Sequence, residues 1–287
     1  MLVRAYAKIN LGLRILSKRP DGYHNIETVF HPVDVFDEIS LEVSTSMDFK
    51  SSHPDVPHDE SNLCMRAARE LQRRYSATST AKIVLSKKIP VGAGLGGGSS
   101  DAAATLIGLC KLWNVNPDRT DLPGIAITLG ADVPYFLHNG TASATGRGEQ
   151  LEYFPLDMPY ALLLVHPNIH VSTAWAYAHS SPAAHVNEES LVTIWREHIA
   201  EPDRLQHKVR NDFESLVFRE YPEIERLRNE LYEAGAVFVQ LSGSGSTVYG
   251  LFLSLSEAGE AADLFDSRYQ TFVTPPHFSV PSDQMLA

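Results

Sequence analysis

Hydrophobic and polar residues alternate from the start of the chain. Ala7, Ile9, Leu11, Leu13 and Ile15 fall on one side, and Lys8, Asn10, Gly12 and Arg14 on the other. A period of two predicts a strand over residues 3–18 with one buried face. Arg19-Pro20-Asp21-Gly22 reads as a turn, because proline presets φ and glycine accepts a positive φ. A second strand is predicted from His24 to Val35, and a third over Ile39, Leu41 and Val43. Residues 44–60 are polar, with His53, Pro54, Pro57 and His58 close together, and read as a loop. Glu60-Ser61-Asn62 opens a helix in which Leu63, Ala67, Ala68 and Leu71 recur at helical spacing. A strand over 81–89 leads into a run of glycines, and a nearly all-apolar helix follows from Asp101 to about Trp113. A helical segment near 121–129 and strands near 133–155 complete the first half.

The second half has a different texture. Tyr160–His166 is uniformly apolar until its last residue and predicts a buried strand. Ser172-Thr173 caps a helix through Tyr177. A polar helical region covers roughly 187–233. Ala236–Leu241 and Thr247–Leu253 read as strands on either side of Ser-Gly-Ser-Gly-Ser, and a helix follows Ser256. The tail from about 274 is rich in proline and reads as irregular. The change of texture places a domain boundary near residue 155, dividing the chain into 1–155 and 156–287. The mixture of elements predicts an α+β fold.

Composition narrows the function. The 287 residues carry a net charge of −11, which argues against general nucleic-acid binding, since that needs a basic face. A phosphate site on such a chain has to be built locally, from backbone N–H groups and a few placed lysines. Cys64 and Cys110 form no CxxC pair, so neither a disulfide framework nor a zinc site is expected, and free thiols fit a reducing cytoplasm. Lys8, Asn10 and Arg14 break up the N-terminal apolar residues, so no signal peptide is expected, and no run of 18 apolar residues predicts a membrane span. Among the 12 histidines, no HExxH occurs, and Pro167 prevents a helix from joining His166 to His170. No protein-held metal is expected.

The glycine run carries the chemistry. Pro90-Val91-Gly92-Ala93-Gly94-Leu95-Gly96-Gly97-Gly98-Ser99-Ser100 has five glycines in the seven positions 92–98 and joins a strand to a helix. Unpaired first-turn amides and the positive end of the helix dipole make such a junction an anion site, most naturally for phosphate. An ordinary turn needs one or two glycines, not five. Gly92-x-Gly94-x-x-Gly97 matches the dinucleotide fingerprint, but the acidic residue about 20 positions on should end a strand, and Asn114-Val115-Asn116-Pro117-Asp118 is a turn. A P-loop needs lysine where Gly98 stands.

The loop resembles that of the GHMP kinases, which carry P-x-x-x-G-L-G-S-S-A-A between a strand and a buried helix. Its longer form here, Gly94-Leu95-Gly96-Gly97-Gly98-Ser99-Ser100-Asp101-Ala102-Ala103, is similar to one branch of that family. Members of this branch phosphorylate a cytidine diphosphate-linked methylerythritol. Ala7-Lys8-Ile9-Asn10-Leu11, Arg19-Pro20-Asp21-Gly22-Tyr23-His24 and Leu129-Gly130-Ala131-Asp132-Val133-Pro134 resemble further motifs of the same branch, and with Leu241-Ser242-Gly243-Ser244-Gly245 the resemblance runs in order from Ala7 to about Gly250.

The resemblance implies a two-domain fold with an N-terminal ATP-binding domain and a ferredoxin-like C-terminal domain, and an active site in the cleft between them. It implies ATP with Mg²⁺ as cofactors and transfer of the γ-phosphoryl group to a primary hydroxyl. It implies the 2-phosphate as product, in non-mevalonate isoprenoid synthesis. Lys8 and Asp132 become the catalytic pair, with Asp132 as base or positioning group. Pro90, Gly92, Gly94, Leu95, Gly96, Gly97, Gly98, Ser99 and Ser100 become the phosphate cradle, with Ser99 or Ser100 near Mg²⁺. Asn62, Leu63 and Lys87 resemble the adenine pocket, although chemistry alone reads Leu63 as core and Lys87 as a surface lysine. Asn10, Tyr23, His24 and Thr173 fall to the acceptor, with Tyr23 stacking on cytosine and His24 reading its edge. Tyr177 is either a second aromatic wall or core. Gly243, Ser244 and Gly245 line the site. A soluble cytoplasmic monomer or weak homodimer is expected, without nucleic-acid or membrane partners. Mevalonate or homoserine kinases, a dinucleotide-dependent oxidoreductase and a non-catalytic nucleotide-binding protein are the competing readings. Asp21-Gly22-Tyr23-His24 argues against the first, since those enzymes read no cytidine.

Overall fold

Two sheets carry the fold in the computed structural model, which describes residues 1–75, 79–116, 121–138, 140–182, 185, 188–265 and 267–282. Pro117 and Asp118 of the expected turn, residue 187 of the polar helical region and the last five residues of the tail lie outside this set. The first half comprises β1 (Leu2–Lys18), β2 (His24–Ser44), β3 (Asp48–Ser51), α1 (Leu63–Tyr75), β4 (Thr80–Ser86), α2 (Gly97–Leu112), α3 (Asp121–Leu129), a 3-10 turn at Val133–Leu137, β5 (Ala142–Thr145) and β6 (Gln150–Tyr153). The second comprises β7 (Ala161–His166), α4 (Thr173–His179), α5 (Leu191–His198), α6 (Pro202–Lys208), α7 (Glu214–Glu220), α8 (Pro222–Glu233), β8 (Phe238–Leu241), β9 (Val248–Phe252), α9 (Leu255–Phe265) and β10 (Gln270–Thr274).

The first sheet has the order β3-β4-β2-β5-β6, with β1 antiparallel to β2 along nearly its whole length. The second has the order β10-β7-β9-β8, all antiparallel. Its strands follow the β-α-β-β-α-β sequence of the ferredoxin-like motif. One apolar core packs α1, α2 and α3 on the first sheet, and another packs helices on the second. A third lies between the two sheets and joins Ala7, Ile9 and Leu11 to Leu162, Leu164 and Leu251. Trp195 of α5 is fully buried there and donates its indole N–H to the Leu11 carbonyl at 2.9 Å. Truncating it to alanine would cost about 3–5 kcal/mol.

The structure corrects several expectations. The second and third strands are one continuous strand, β2. Asp37 interrupts the apolar stripe of Val33, Val35, Ile39 and Leu41, yet it is itself fully buried, because Lys87 neutralises it. The short strand β3 lies inside the expected loop. Residues 133–137 are a 3-10 turn opened by Asp132 and Pro134, not a strand. The second sheet closes with β10, whose Thr274 reaches back to accept the Asp34 N–H. The helix α2 begins at Gly97, four residues before Asp101. Both faces of β1 are buried, and Lys8 is only 4% exposed. The glycine-rich loop covers the polar face through a bond from the Lys8 N–H to the Leu95 carbonyl, and Ser242 and Tyr249 of the second sheet meet Asn10.

Candidate active site

A cavity of about 920 Å³ lies where β1, the glycine-rich loop, α4 and the Ser242–Ser246 loop converge. It is lined by Lys8, Asn10, Tyr23, His24, Asn62, Leu63, Lys87, Pro90, Gly92, Gly94, Gly96, Gly97, Gly98, Ser99, Asp132, Thr173, Tyr177, Gly243 and Ser244, among others. Every one of these is a residue singled out by the sequence.

The loop bends because its glycines take positive φ at Gly92, Gly94 and Gly96. Gly94 shows the closest approach, since a Cβ there would lie 2.1 Å from the Ser242 carbonyl oxygen. The Ser242 hydroxyl donates to the Gly94 carbonyl at 2.9 Å, and the Thr247 N–H to the Ala93 carbonyl at 3.2 Å. The serine-glycine loop therefore clamps the phosphate-type loop from behind. Gly96 caps α2 in the left-handed region, and Gly97, Gly98 and Ser99 form the helix's first turn. Their N–H groups have no carbonyl one turn earlier in the helix, the arrangement by which helix N-termini can bind anions.

Three expected residues do not line the cavity. The Leu95 side chain is buried in the core between the sheets. The Ser100 hydroxyl donates to the Tyr6 carbonyl at 2.6 Å, and its N–H already bonds Gly96. Gly245 turns toward Leu241, whose Cδ1 would lie 3.1 Å from an added Cβ.

The Lys8 ammonium donates to Asn10 Oδ1 at 2.6 Å, sits 4.8 Å over the Phe30 ring and lies 3.7 Å from Asp132 Oδ2. The last distance is an ion pair without a hydrogen bond. Burial pulls the Lys8 pKa below its ordinary value, and the Asp132 charge opposes that shift. Asn10 is fixed in turn by donating to Thr28 Oγ1 at 2.8 Å. The Asp132 side chain keeps 34% of its surface exposed, so its carboxylate faces the cavity.

Rings surround the other end. His24 stacks on Tyr177 with centroids 5.2 Å apart, and Tyr177 meets Phe213 edge-on at 4.9 Å. Burial, helped by Lys18, lowers the His24 pKa, which keeps the ring neutral. Tyr23 is 57% exposed, with the Arg147 guanidinium 5.0 Å over its ring. Thr173 Oγ1 and Ser244 Oγ are 2.9 Å apart, tying α4 to the serine-glycine loop.

In the adenine-type corner, Asn62 spends its side chain on capping α1. It accepts the Cys64 N–H at 2.8 Å and donates to the Pro57 carbonyl at 2.8 Å. Leu63 is half-buried beside it. Lys87 is not a surface residue, for its side chain is 3% exposed between two carboxylates.

Sequence reasoning missed Lys18, Phe30, Asp101, Arg147 and Phe213, all of which line the cavity. Arg147 stands in Gly146-Arg147-Gly148, whose two positive-φ glycines were an available signal. Phe213 had none, because only tertiary packing brings it beside Tyr177. Among the described residues, no cluster of three or more His, Cys, Asp or Glu could hold a metal, and no helix is long and apolar enough to cross a membrane.

Residues 62–140 match the family "GHMP kinases N terminal domain", and residues 196–270 match "GHMP kinases C terminal". A 4-diphosphocytidyl-2-C-methyl-D-erythritol kinase of Prosthecochloris aestuarii is 44% identical over 280 residues, covering 97% of this chain and 98% of that protein. A crystal structure of a 4-(cytidine 5'-diphospho)-2C-methyl-D-erythritol kinase is similar with a TM-score of 0.84 and 33% identity, covering 97% of this chain and 100% of that one. The homoserine kinase from Cytophaga hutchinsonii has a TM-score of 0.71 at 16% identity, covering 99% of this chain and 96% of that one, a likeness of fold alone.

Proposed function

The chain belongs to the GHMP kinases, and from that premise we infer that it phosphorylates 4-diphosphocytidyl-2-C-methyl-D-erythritol with ATP. The observation that carries the acceptor is the ring-lined end of the cavity, where Tyr23, a neutral His24 and Tyr177 offer a base both faces for stacking and a polar edge. Base stacking on such rings contributes roughly 1–3 kcal/mol. We assign the acceptor to this end, with Asn10, Thr173, Gly243 and Ser244 along its wall, and the nucleotide to the end formed by Asn62, Leu63, Lys87 and Pro90. The β- and γ-phosphates lie on the first-turn amides of α2, between Gly92 and Ser99.

In the transfer, the acceptor oxygen bonds to the γ-phosphorus while the bond to the β–γ bridging oxygen breaks, releasing ADP. The acceptor's 2-hydroxyl is tertiary rather than primary, because C2 carries the methyl group. Its crowding makes alignment the main demand on the protein, in keeping with a loose transition state in which positioning and charge stabilisation do most of the catalysis. Asp132 orients the hydroxyl and takes its proton or passes it to water. Lys8 holds positive charge beside the same oxygen, and Asn10 holds Lys8 in place.

The oxygen donors near this point suit Mg²⁺ that arrives with ATP. Ser99 and Asp132 both line the cavity, and Mg²⁺ in kinases takes only one or two protein oxygens beside phosphate and water. Bound there, it would neutralise charge on the β- and γ-oxygens. We also infer that the two domains divide near residue 155, between β6 and β7.

The test is ADP release with ATP, Mg²⁺ and the cytidylated acceptor, beside mevalonate and homoserine, in wild type and Asp132→Ala. Turnover with the cytidylated acceptor alone, reduced about 10²–10⁴-fold in the variant, is expected. Turnover with a rival acceptor would overturn the assignment of Tyr23 and His24, while an active Asp132→Ala would remove Asp132 from catalysis.

A further inference from the structure

A buried group of charges lies behind the nucleotide end of the cavity. Asp37, in the middle of β2, is fully buried. Its three bonding partners come from three consecutive residues. Oδ2 accepts the Lys87 ammonium at 2.5 Å, and Oδ1 accepts the Ile89 N–H at 2.8 Å and the Lys88 N–H. These residues immediately precede Pro90 and the glycine-rich loop. The Lys87 ammonium also donates to Asp101 Oδ2 at 2.6 Å, and Asp101 stands in α2 just past the loop. One lysine thus bridges the two flanks of the loop, and one carboxylate fixes both that lysine and the backbone on its side.

The arrangement is costly for a purely structural tie. Two carboxylates share one ammonium out of water, and Asp101 Oδ1 is buried with no partner among the described residues. Replacing such buried charges by apolar residues is often neutral or stabilising, so stability alone is weak grounds for keeping them. Burial, reinforced by the Asp37 charge, raises the Asp101 carboxyl above the usual carboxylate range, although Lys87 opposes the shift. Burial by itself would lower Lys87, but the two carboxylates hold its ammonium above the ordinary lysine value. The cation is therefore kept charged at a fixed place, beside Gly97, where an added Cβ would lie 2.9 Å from Lys87 Nζ. That place borders both the helix N-terminus and the cavity.

We propose that Asp37 is a positioning residue for the nucleotide: acting through Lys87, it sets where the ammonium and the start of the glycine-rich loop meet ATP. The proposal rests on reading this end of the cavity as the nucleotide site. Asp37 does not touch ATP and has no part in placing the acceptor.

The experiment is steady-state kinetics on the full chain with Asp37→Asn, Lys87→Met and the double variant, varying ATP and the cytidylated acceptor separately. Asp37→Asn is expected to raise KM for ATP about tenfold or more and to leave the acceptor KM within about twofold. In the double variant, KM for ATP should equal that of Lys87→Met within about twofold, because Asp37 acts through the lysine. A merely structural role would move both KM values together, or would lower the thermal midpoint with KM for ATP unchanged, and either result overturns the proposal. So does a double variant in which the two effects multiply. Should Asp37→Asn fail to fold, Asp101→Asn loosens the same ammonium from the other flank and is read in the same way. If wild type turns over without saturating in ATP, the nucleotide reading falls and this proposal with it. If wild type saturates and Asp37→Asn does not differ from it, only this proposal falls.

Discussion

Where the phosphates are assigned, the wall is main chain: positive-φ glycines, first-turn amides and a second loop pressed against them. At the acceptor end it is side chain: Tyr23, His24, Tyr177 and Phe213, drawn from three separate parts of the sequence. On the proposed assignment the first would bind phosphate, which every nucleoside triphosphate shares, so it needs donors at fixed places and no reader. The second would distinguish one acceptor from another, so it needs faces and edges. The main-chain wall has least slack at Gly94, where an added methyl group is a collision. The side-chain wall loses one contact at a time.

The sharpest way to break this contrast is Gly94→Ala. The new Cβ would combine a φ of +78° with a backbone oxygen at 2.1 Å, so a loss of about 3–5 kcal/mol in folding stability is expected, read as a shift in denaturation midpoint. A variant as stable as wild type would show that the two loops are not clamped. Next comes Tyr23→Ala. Exposed as the ring is, its loss should leave folding nearly unchanged and raise the acceptor KM about tenfold, with KM for ATP unmoved. An equal rise in both would mean that the two ends are not separate.

A pH series gives a smaller effect. The His24 pKa is lowered, so the neutral ring persists at and above the usual histidine value near 6.5 and is lost only as pH falls through the depressed pKa. The acceptor KM should be flat from about pH 8 to 6.5 and rise several-fold below that, and a rise already at pH 7.5 would contradict a neutral reader. The smallest effect is Gly98→Ala. Its Cβ would meet only Leu63 Cδ1, at 3.7 Å, and its φ is ordinary. Stability should change by less than ~1 kcal/mol, in the favourable direction expected of alanine in a helix. A large loss would show that the whole run of glycines is under the constraint seen at Gly94.

The nucleotide end was legible because its chemistry is local. Five glycines, a following helix and an Asp after Leu129-Gly130-Ala131 lie within short stretches that a reader can weigh directly. The acceptor end was legible mainly through the family's Asp-Gly-Tyr-His turn; Arg147 offered only its two flanking glycines, and Phe213 arrives by tertiary packing. In the fold, period-two alternation correctly marked β1 but gave it only one buried face, because nothing in a strand's own sequence says that a loop 80 to 90 residues later will cover the other. Reading β2 as two strands had the opposite cause. Asp37 looked like a break in an apolar stripe, when it was the one position on that stripe whose partner, Lys87, lay in a different strand-to-loop junction. A lone acidic residue at a buried register is a signal in its own right.

The clamp between Ser242 and Gly94 spans 148 residues of chain. During synthesis, the glycine-rich loop leaves the ribosome long before its clamp has been made. At roughly 5–20 residues per second, it waits on the order of ten to thirty seconds for Ser242 to appear. Over that interval the first sheet and its helices can assemble, yet Gly94 has no partner behind it and Asn10 has neither Ser242 nor Tyr249 against it. Vectorial translation therefore orders the assembly: a nascent chain halted before the serine-glycine loop would hold most of the phosphate cradle's residues in an unbraced form, and phosphoryl-transfer competence would come late, with one of the last hairpins.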